Sequence, residues 1–448
     1  MAADLPFLIA DRDYYAPLDT IDPGPRYHAG PLPAGWSKRE TGIWTHWSPE
    51  AAVLPDSGWK VHVSSSFANA QFVLAVVSAV CAEFGVPFKH LTGRRSFLAL
   101  HGKHAGRVQA GKFCALYPSS QDGAELLLRR LAAELSGISG PYVLTDRRFG
   151  DSECVSYRYG AFRRRLQVDA EGYPVHVMTG PDGQLVHDKR EPRFVLPAGM
   201  SDPFREQAAA QAARGPVVLR GYTYEKVLQH SNAGGAYRFH SAQDEPVFVK
   251  EARAHTGYTE DDADAKTRLQ AEYLALRAIH RQAPGLCPEP LEFFQHWEQS
   301  YLVTEWVAGT PLYQWMLHNN PVLQIAPTPA AFADYYRRSL ALLDELAGQL
   351  RRLHELGFVF LDLSPNNILV DDEDIPRLID FEATQPISAP RRLLGTPGYQ
   401  HPDAKTVAEH NPAELDRFGL AALALLLLFN VHETVERHPP ALDHLYAD

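Results

Sequence analysis

The 448 residues are too many for one ordinary core and suggest about three domains. Hydrophobic residues make up 45% and charged residues 22% of the chain, which excludes an intrinsically disordered protein. The net charge of −11 argues against a general nucleic-acid binder, because such proteins carry basic surfaces. The four cysteines have neither C-x-x-C nor metal-ligand spacing, so they indicate buried thiols in a reducing compartment.

The beginning of the chain is rich in Pro, Gly and Tyr, as in DPGPRYHAGPLPAGW, which predicts extended chain over the surface of a domain. Acidic residues interrupt MAADLPFLIADRDYY before any hydrophobic region, so no signal peptide is predicted and we expect a cytoplasmic location. From Trp59 to about Phe194, short strand-like segments alternate with one helix-like stretch, NAQFVLAVVSAVCAEFG.

Small and polar residues at 198–215 predict a connection between two domains. Strands and one helix follow this connection, and long helical segments come after them. The apolar stretch FGLAALALLLLFNV (418–431) is too short to span a membrane and predicts a buried helix. The sequence therefore predicts an α+β chain with one domain at 1–205 and a second at 216–448.

Basic residues recur within the strand-like segments of the first half. SGWKVHVSSSF places Lys60 and His62 on one face of a strand, because side chains alternate with a period of two. Further basic residues follow in VPFKHL, AGRVQAGKFCALYP and TDRRFGDSECVSYRYGAF. For any single lysine a solvated strand face is the simpler explanation, and a histidine between valines is more often a core residue. Together these residues also fit an anion pocket that contains a general acid and a general base.

The order Lys-x-His, Phe-Lys, GRV and GKFCALY resembles the phosphothreonine lyases. In those enzymes a lysine removes the α-proton of a phosphorylated residue, and a histidine protonates the departing phosphate. The resemblance implies that Lys89 is the base and His62 the acid. It implies that the phosphate is bound by Lys60, Arg107, Arg147, Arg158 and Tyr117, with Arg148 as the alternative to Arg147.

The second half contains the parts of a phosphoryl-transfer site in order. Lys250 in VFVK ends a predicted strand, and Glu272 in the next helix is its expected partner. The stretch FVFLDLSPNNILVDDEDIPRLIDFEATQ contains Asp362, which would orient the acceptor hydroxyl. The same stretch contains Asn367 and Asp380, which are expected to hold a metal ion. Any one of these motifs occurs by chance, whereas the ordered set resembles the protein kinases.

This resemblance implies a bilobal domain with an N-lobe at about 216–308 and a C-lobe at about 309–448. Gly234 and Gly235 are expected to bring backbone N–H groups to phosphate. Glu305 in LVTEW lies where the hinge to the nucleotide base is expected. The implied cofactors are ATP or GTP, together with Mg²⁺.

Two kinase motifs differ from the usual pattern. Phe360 and Leu361 replace His-Arg, so this motif has no arginine to receive a phosphorylated activation loop. Glu382 replaces the glycine of D-F-G, which removes backbone freedom at that hinge. Asp416 matches the aspartate that braces the catalytic loop, and GTPGYQHPD resembles the end of an activation segment. These features predict a constitutive catalyst rather than a signalling relay.

A lyase-like domain followed by a kinase-like domain resembles the class III and class IV lanthipeptide synthetases over essentially the whole chain. Such enzymes phosphorylate Ser and Thr of a ribosomal precursor peptide and then eliminate phosphate to leave dehydroalanine or dehydrobutyrine. The resemblance implies a precursor peptide with a leader segment as the partner, and neither nucleic acid nor a membrane.

Full-length members of this family carry a third, C-terminal cyclase domain. This chain ends at HPPALDHLYAD, which is early even for a complete kinase C-lobe. The expectation is either a truncated chain or a separate cyclase, and truncation is favoured.

Two other functions fit parts of the sequence. A small-molecule phosphotransferase of the aminoglycoside type also relaxes the H-R-D motif, but it lacks the Lys-x-His block. A pseudokinase scaffold with a phosphopeptide-docking domain fits the domain order. This second alternative is opposed by the intact phosphoryl-transfer residues Lys250, Asp362, Asn367 and Asp380.

Overall fold

The computed structural model describes residues 7–10, 15–17, 22–163, 165–189, 191–205, 218–259, 262–388, 393, 395–396 and 398–429. Helices and strands both occur throughout these ranges, so the α+β expectation is confirmed. No helix within these ranges is long and apolar enough to cross a bilayer. We call the described residues up to 205 the N-terminal unit and those from 218 the C-terminal unit.

The N-terminal unit contains twelve strands and three helices. The strands are β1 (Phe7–Ala10), β2 (Tyr15–Pro17), β3 (Trp36–Thr41), β4 (Trp44–Pro49), β5 (Ser57–Val63), β6 (Phe88–Leu91), β7 (Cys114–Leu116), β8 (Arg147–Arg148), β9 (Val155–Ala161), β10 (Leu166–Val168), β11 (Pro174–Thr179) and β12 (Leu185–His187). The helices are α1 (Ala70–Phe84), α2 (Arg94–His101) and α3 (Gln121–Glu134).

A seven-stranded antiparallel sheet forms the centre of this unit, in the order β3-β4-β6-β7-β5-β9-β8. Trp59, Val61 and Val63 of β5 belong to the main core, together with buried residues of α1 and α3. Their alternation with Lys60 and His62 turns the basic side chains to the other face of the sheet. The packing of the apolar face therefore determines where the basic residues point.

The end of the N-terminal unit is anchored in the same core. Phe204 is 1% exposed, and its ring lies edge-on to Trp59 and Tyr157, with centroid separations of 5.2 and 5.0 Å. This unit therefore extends at least to Phe204. Residues 206–217, which include most of the predicted connection between the domains, lie outside the described residues.

The C-terminal unit begins with a six-stranded antiparallel sheet in the order β13-β14-β15-β16-β18-β17. Its strands are β13 (Val218–Leu219), β14 (Tyr222–His230), β15 (Gly234–His240), β16 (Pro246–Ala252), β17 (Pro290–His296) and β18 (Gln299–Glu305). One helix, α4 (Ala265–Gln282), contacts three of these strands. The side chain of Asp264 caps its first turn by accepting a hydrogen bond from the N–H of Thr267 at 2.9 Å.

The remainder of the C-terminal unit is largely helical. Its elements are β19 (Thr310–Pro311), α5 (Leu312–Asn319), α6 (Pro329–Glu355), β20 (Phe358–Val359), β21 (Ile368–Val370), β22 (Pro376–Leu378), β23 (Gln385–Pro386), α7 (Ala404–His410) and α8 (Ala413–Phe429). Leu346 of α6 and Leu423 and Leu426 of α8 are fully buried in one core. The predicted buried helix at 418–431 is confirmed as far as Phe429, and the last two residues of the prediction lie outside the described residues.

The two units contact each other at several points. The N–H of Phe67 donates a hydrogen bond to the hydroxyl of Tyr258 at 3.2 Å, and Arg94 pairs with Asp262 at 2.8 Å. Arg148 of β8 forms a bidentate ion pair with Glu298, which lies between β17 and β18. The N-terminal unit therefore contacts the sheet end of the C-terminal unit.

Phe204→Ala is expected to destabilise the N-terminal unit by about 3–5 kcal/mol, because it leaves a cavity between two aromatic rings. Urea unfolding followed by tryptophan fluorescence measures the effect, since Trp59 reports on the lost contact. Leu185→Ala is the matched control, because Leu185 is 39% exposed on β12 and its truncation should change stability by less than about 0.5 kcal/mol. Equal unfolding midpoints for the two variants would show that Phe204 does not anchor this unit.

Candidate functional site

The strand register brings four of the predicted basic residues to one face of the N-terminal sheet. Lys89 of β6 is paired with Ala115 of β7, which is paired in turn with His62 of β5. Two residues before His62 on β5, Lys60 is paired with Arg158 of β9. Residues that are directly paired across strands point to the same face, as do residues two apart along one strand. Lys60, His62, Lys89 and Arg158 therefore line one basic face.

Two aromatic rings border this basic face. The Nζ of Lys60 lies 5.9 Å from the ring centroid of Tyr117, and the Nζ of Lys89 lies 4.2 Å from that of Trp44. Rings at these distances attract the ammonium groups and limit the directions in which the two lysines can turn. Tyr117 is thus close to Lys60, and its role toward phosphate stays a prediction.

His62 is oriented by Asp146, which the sequence analysis did not single out. The Nδ1 of His62 pairs with Asp146 Oδ2, and the hydroxyl of Thr145 donates to Asp146 Oδ1 at 2.6 Å. Asp146 is fully buried. Burial alone would raise the pKa of Asp146, but attraction to His62 and to the cations Lys112 and Arg158 lowers it below its ordinary value. An ionised Asp146 leaves the other nitrogen of His62, Nε2, for chemistry.

Burial and repulsion from neighbouring cations lower the pKa values of Lys60 and His62 on the basic face. The pKa of Lys60 is lowered to about 7, first by burial and then by repulsion from Arg158, Lys89 and Lys112. The pKa of His62 is lowered to about 4, chiefly by burial, with Lys112 and Lys60 adding to the effect and Asp146 opposing it. A face that disfavours its own positive charge in this way is suited to accept an anion.

Two further buried side chains, Asp188 and Lys112, lie beside the basic face. Asp188, which follows β12, accepts a hydrogen bond from Arg158 at 2.9 Å, and both side chains are buried. The Nζ of Lys112 donates to the carbonyl of Val108 at 2.8 Å and is also buried. Asp188 was missed because it is 30 residues from Arg158 and lies outside any recognisable motif.

The structure does not place Arg147 on the basic face, and this prediction needs correction. Arg147 of β8 is paired with Tyr157, whose side chain lies in the core on the opposite face of the sheet, and it forms an ion pair with Asp202 at 2.5 Å. The alternative residue Arg148 is paired with Ser156 and so shares the face of His62, but it is bound by Glu298. Alternation along this short strand decides which of the two arginines faces the site.

Arg107 lies near residues of the C-terminal unit. It lies between α2 and β7, and its charge lowers the pKa values of His230 and Arg253, although burial is the larger cause for both. Both of these residues belong to the C-terminal unit, beside the β14–β15 hairpin. Arg107 is therefore close to this hairpin, and its role toward phosphate stays a prediction.

In the C-terminal unit, the predicted phosphoryl-transfer residues converge between the sheet and the helical part. The Nζ of Lys250 on β16 lies 2.8 Å from Glu272 on α4 and 2.6 Å from Asp380. Burial alone would lower the pKa of Lys250, but Asp380 and Glu272 raise it well above its ordinary value. The lysine is therefore a permanent cation at this position.

The loop that contains Asp362 is held by backbone and side-chain bonds. The amide nitrogen of Asn367 donates to the carbonyl and to the carboxylate of Asp362 at 2.9 and 3.0 Å. The N–H and hydroxyl of Thr396 both donate to Asp362 Oδ1 at 2.8 Å. Asp416 accepts the N–H groups of Phe360 and Leu361 at 2.9 and 2.7 Å, which confirms its predicted bracing role.

The predicted hinge and glycine positions have structural roles of their own. The N–H of Glu305 donates to the carbonyl of Glu289 at 3.0 Å, and its carboxylate pairs with Arg377 at 3.2 Å. A Cβ on Gly234 would lie 1.8 Å from the carbonyl oxygen of Glu251, so the tight β15–β16 pairing requires glycine there. Contact of Gly234 or Gly235 with phosphate stays a prediction.

Glu382 is a participant whose contacts the sequence did not predict. Its carboxylate lies 2.7 Å from Arg268 Nε, 3.1 Å from Lys103 Nζ and 3.4 Å from Lys250 Nζ. Lys103 belongs to the N-terminal unit. The residue that replaces the D-F-G glycine therefore joins three cations from different elements.

The donor atoms present fit a magnesium ion bound together with nucleotide phosphates. Asp380 supplies a carboxylate, and the side-chain oxygen of Asn367 is directed by the bonds of its amide nitrogen to Asp362. Such oxygen donors suit Mg²⁺, which usually takes only one or two protein ligands beside phosphate and water. Within the described ranges there is no group of three or more His, Cys, Asp or Glu residues that could hold a metal ion.

Comparisons with known proteins divide the chain at the same place as its motifs. Residues 25–216 match the family model of the RamC N-terminal domain. The chain is 36% identical over 428 residues to a probable SapB synthase of Streptomyces coelicolor, covering 93% of this chain and 45% of that relative. It is 30% identical over 226 residues to the serine/threonine-protein kinase PknG of Mycobacterium leprae, covering 48% of this chain and 27% of the kinase.

These matches define a two-part protein, with a RamC-type first part and a second part related to serine/threonine kinases. The resemblance deduced from the order of the motifs is thereby confirmed, since the chain is similar to a probable SapB synthase along most of its length and its first part matches the RamC N-terminal domain. The chain spans less than half the length of the SapB synthase that it matches.

Phosphate binding at the basic face is expected to take up protons at pH 8. Lys60, with a pKa of about 7, is then mostly neutral, and a bound dianion favours its charged form. Calorimetric titration with a phosphoserine peptide, in two buffers of different ionisation enthalpy, should give uptake of about one proton per peptide.

Lys60→Met should abolish this proton uptake and weaken peptide binding roughly tenfold, by loss of one charge-assisted contact. Lys38→Met is the matched control, because Lys38 is an exposed lysine of β3 that pairs with Glu40 at 3.0 Å. Undiminished uptake in the Lys60 variant would assign the proton to another group.

Proposed function

We propose that this chain carries out the dehydration steps of lanthipeptide synthesis. The C-terminal unit phosphorylates Ser or Thr of a ribosomal precursor peptide, and the N-terminal unit eliminates the phosphate. The observation that carries the proposal is the presence in one chain of two complementary sites. One is a basic face with a histidine–aspartate pair, and the other is a complete set of phosphoryl-transfer residues.

In the phosphorylation step, Asp362 orients the Ser or Thr hydroxyl of the peptide for attack on the terminal phosphate of ATP or GTP. Lys250 binds the nucleotide phosphates and is held by Glu272, at 2.8 Å. Asn367 and Asp380 are the residues that would hold Mg²⁺. When bound, the ion neutralises charge on the phosphate oxygens.

In the elimination step, Lys89 takes the α-proton of the phosphorylated residue. The electrons of the broken Cα–H bond form the Cα=Cβ double bond, and the Cβ–O bond breaks with its electron pair on the phosphate. Lys60 and Arg158, which are paired across β5 and β9, bind the phosphate. His62 delivers a proton to the departing phosphate, and Asp146 stabilises the imidazolium form that this role requires.

Substrate binding supplies the charge that His62 needs. In the free protein, burial and repulsion from Lys112 and Lys60 keep the pKa of His62 near 4. A phosphate dianion beside these lysines cancels their repulsion, so the pKa of His62 rises when the phosphopeptide is bound. Substrate binding therefore increases the fraction of His62 that carries the proton needed for general-acid catalysis.

The alternative functions account for less of the molecule. An aminoglycoside-type phosphotransferase leaves the basic face and the His62–Asp146 pair without a role. A pseudokinase scaffold is opposed by the intact Lys250–Glu272 ion pair and by the Asn367–Asp362 hydrogen bonds. The relation to a probable SapB synthase along 93% of the chain also supports the two-step dehydratase.

The most direct test is the intact mass of a synthetic phosphoserine peptide with a leader segment, after incubation with the protein and without nucleotide. We expect loss of one phosphoric acid, because elimination leaves dehydroalanine and needs no nucleotide. Hydrolysis to serine would contradict the lyase assignment, because it breaks the P–O bond and leaves the hydroxyl on the residue, whereas elimination breaks the Cβ–O bond. An unchanged peptide under conditions in which it binds would also contradict it.

Single substitutions should separate the two steps. With unphosphorylated peptide, nucleotide and Mg²⁺, Lys89→Ala and His62→Ala should accumulate phosphopeptide, each with elimination slowed by about 10²-fold or more. Asp362→Ala should leave that peptide unmodified, yet eliminate phosphate from the synthetic phosphopeptide at the rate of the unmodified protein. If all three variants behaved alike in both mass-spectrometric assays, the division of labour between the two units would be wrong.

A further inference from the structure

The turn after α2 of the N-terminal unit reaches into the C-terminal unit. The side-chain amide of Asn232 donates to the carbonyl of Gly102 at 3.0 Å, and its backbone N–H donates to the carbonyl of Lys103 at 3.1 Å. The N–H of Gly257 donates to the carbonyl of His101 at 2.6 Å. Asn232 lies in the turn of the β14–β15 hairpin, so residues 101–103 are fixed beside the glycine turn of the kinase-like sheet.

From this position Lys103 reaches the phosphoryl-transfer residues. Its Nζ lies 3.1 Å from Glu382, whose side chain is only 15% exposed. The same carboxylate contacts Arg268, which is 2% exposed, and Lys250. Glu382 is therefore a nearly buried carboxylate shared by three cations, one of which comes from the other unit.

Among the described residues, the formal charges of the side chains that contact Lys250 and Glu382 balance when Lys103 is counted. The three carboxylates are those of Glu272, Asp380 and Glu382, and the three cations are Lys250, Arg268 and Lys103. Without Lys103, two cations face three carboxylates. Glu382, already 3.4 Å from Lys250, would then bind this lysine more strongly, because an uncompensated carboxylate in a nearly buried site is costly.

Lys250 has to remain available for the nucleotide. It is held by Glu272 on α4 and lies against Asp380, the expected magnesium ligand. A stronger bond to Glu382 would compete with the bond from Lys250 to phosphate. A cation that satisfies Glu382 from the other side removes this competition.

We propose that Lys103 is a positioning residue of the kinase site, supplied by the N-terminal unit, which holds Glu382 and so keeps Lys250 available for nucleotide phosphate. This inference rests on the proposed nucleotide-dependent function of the C-terminal unit. It gives the lyase-like unit a second role, as a built-in part of the kinase site. It also explains an acidic residue at the place of the D-F-G glycine, since Glu382 is a group through which the N-terminal unit contacts the kinase-like site.

The test is calorimetric titration of the full chain with Mg²⁺ and the non-hydrolysable nucleotide β,γ-imido-ATP. Lys103→Ala should weaken nucleotide binding roughly fivefold, the upper range for a partly exposed ion pair. Lys103→Arg should bind nearly as the unmodified protein does, because it restores the cation. Arg94→Ala is the matched control, since it removes another ion pair between the units, at 2.8 Å from Asp262, without touching Glu382.

A double-mutant cycle shows whether Lys103 acts through Glu382. Glu382→Gln removes the charge that competes for Lys250, so adding Lys103→Ala to this variant should have little further effect on nucleotide affinity. An equal loss of affinity in both backgrounds would overturn the proposal, as would unchanged affinity in Lys103→Ala alone. A loss of the same size in Arg94→Ala would overturn it too, because mere contact between the units would then explain the result.

Steady-state phosphorylation provides a second readout. Lys103→Ala should raise the KM for nucleotide roughly fivefold and change kcat less, because Lys250 contacts the phosphates before the transfer step. Elimination from the synthetic phosphopeptide should be unchanged, which verifies the fold of the N-terminal unit. If the unmodified protein binds nucleotide but does not modify the peptide, the proposed function fails, while the calorimetric cycle still decides the role of Lys103.

Discussion

The alternation of side chains along the central sheet of the N-terminal unit is the constraint on which the proposed lyase site depends. Trp59, Val61 and Val63 must face the helices to form the core, and this places Lys60 and His62 together on the other face. The register of β6, β7 and β9 then adds Lys89 and Arg158 to the same face. Burial, with added repulsion from the neighbouring cations, lowers the pKa values of Lys60 and His62, so an anionic substrate is favoured.

The two sites differ in their balance of positive and negative side chains. On the basic face of the N-terminal unit, positive charge exceeds negative charge, and Asp146 and Asp188 fix the orientation of His62 and Arg158 rather than neutralise the face. Around Lys250 of the C-terminal unit, the contacting carboxylates Glu272, Asp380 and Glu382 are formally matched by Lys250, Arg268 and Lys103. The first arrangement suits a phosphorylated peptide, and the second suits a nucleotide that arrives with its own metal ion.

The contacts between the units fit the absence of an activation switch in the motifs. The motif before Asp362 has no arginine to bind a phosphorylated activation loop, and Glu382 stands in place of a flexible glycine. Glu382 is instead held by Arg268 and by Lys103 of the other unit. In the proposed reaction the product of one site is the substrate of the other, so a permanently assembled kinase site needs no signal to start.

Local sequence was sufficient wherever a site residue lies in a motif or in a long strand. It determined the shared face of Lys60 and His62 and the two-part order of the chain, and it predicted the residues that the fold brings together around Lys250. It was insufficient where partners are far apart or where a strand is very short. Asp146 lies 84 residues from His62, and Lys103 lies 279 residues from Glu382, so only the folded chain could bring them together. In the two-residue strand β8, the side chains of Arg147 and Arg148 point to opposite faces of the sheet. Packing against the core decided which of the two arginines faces the site.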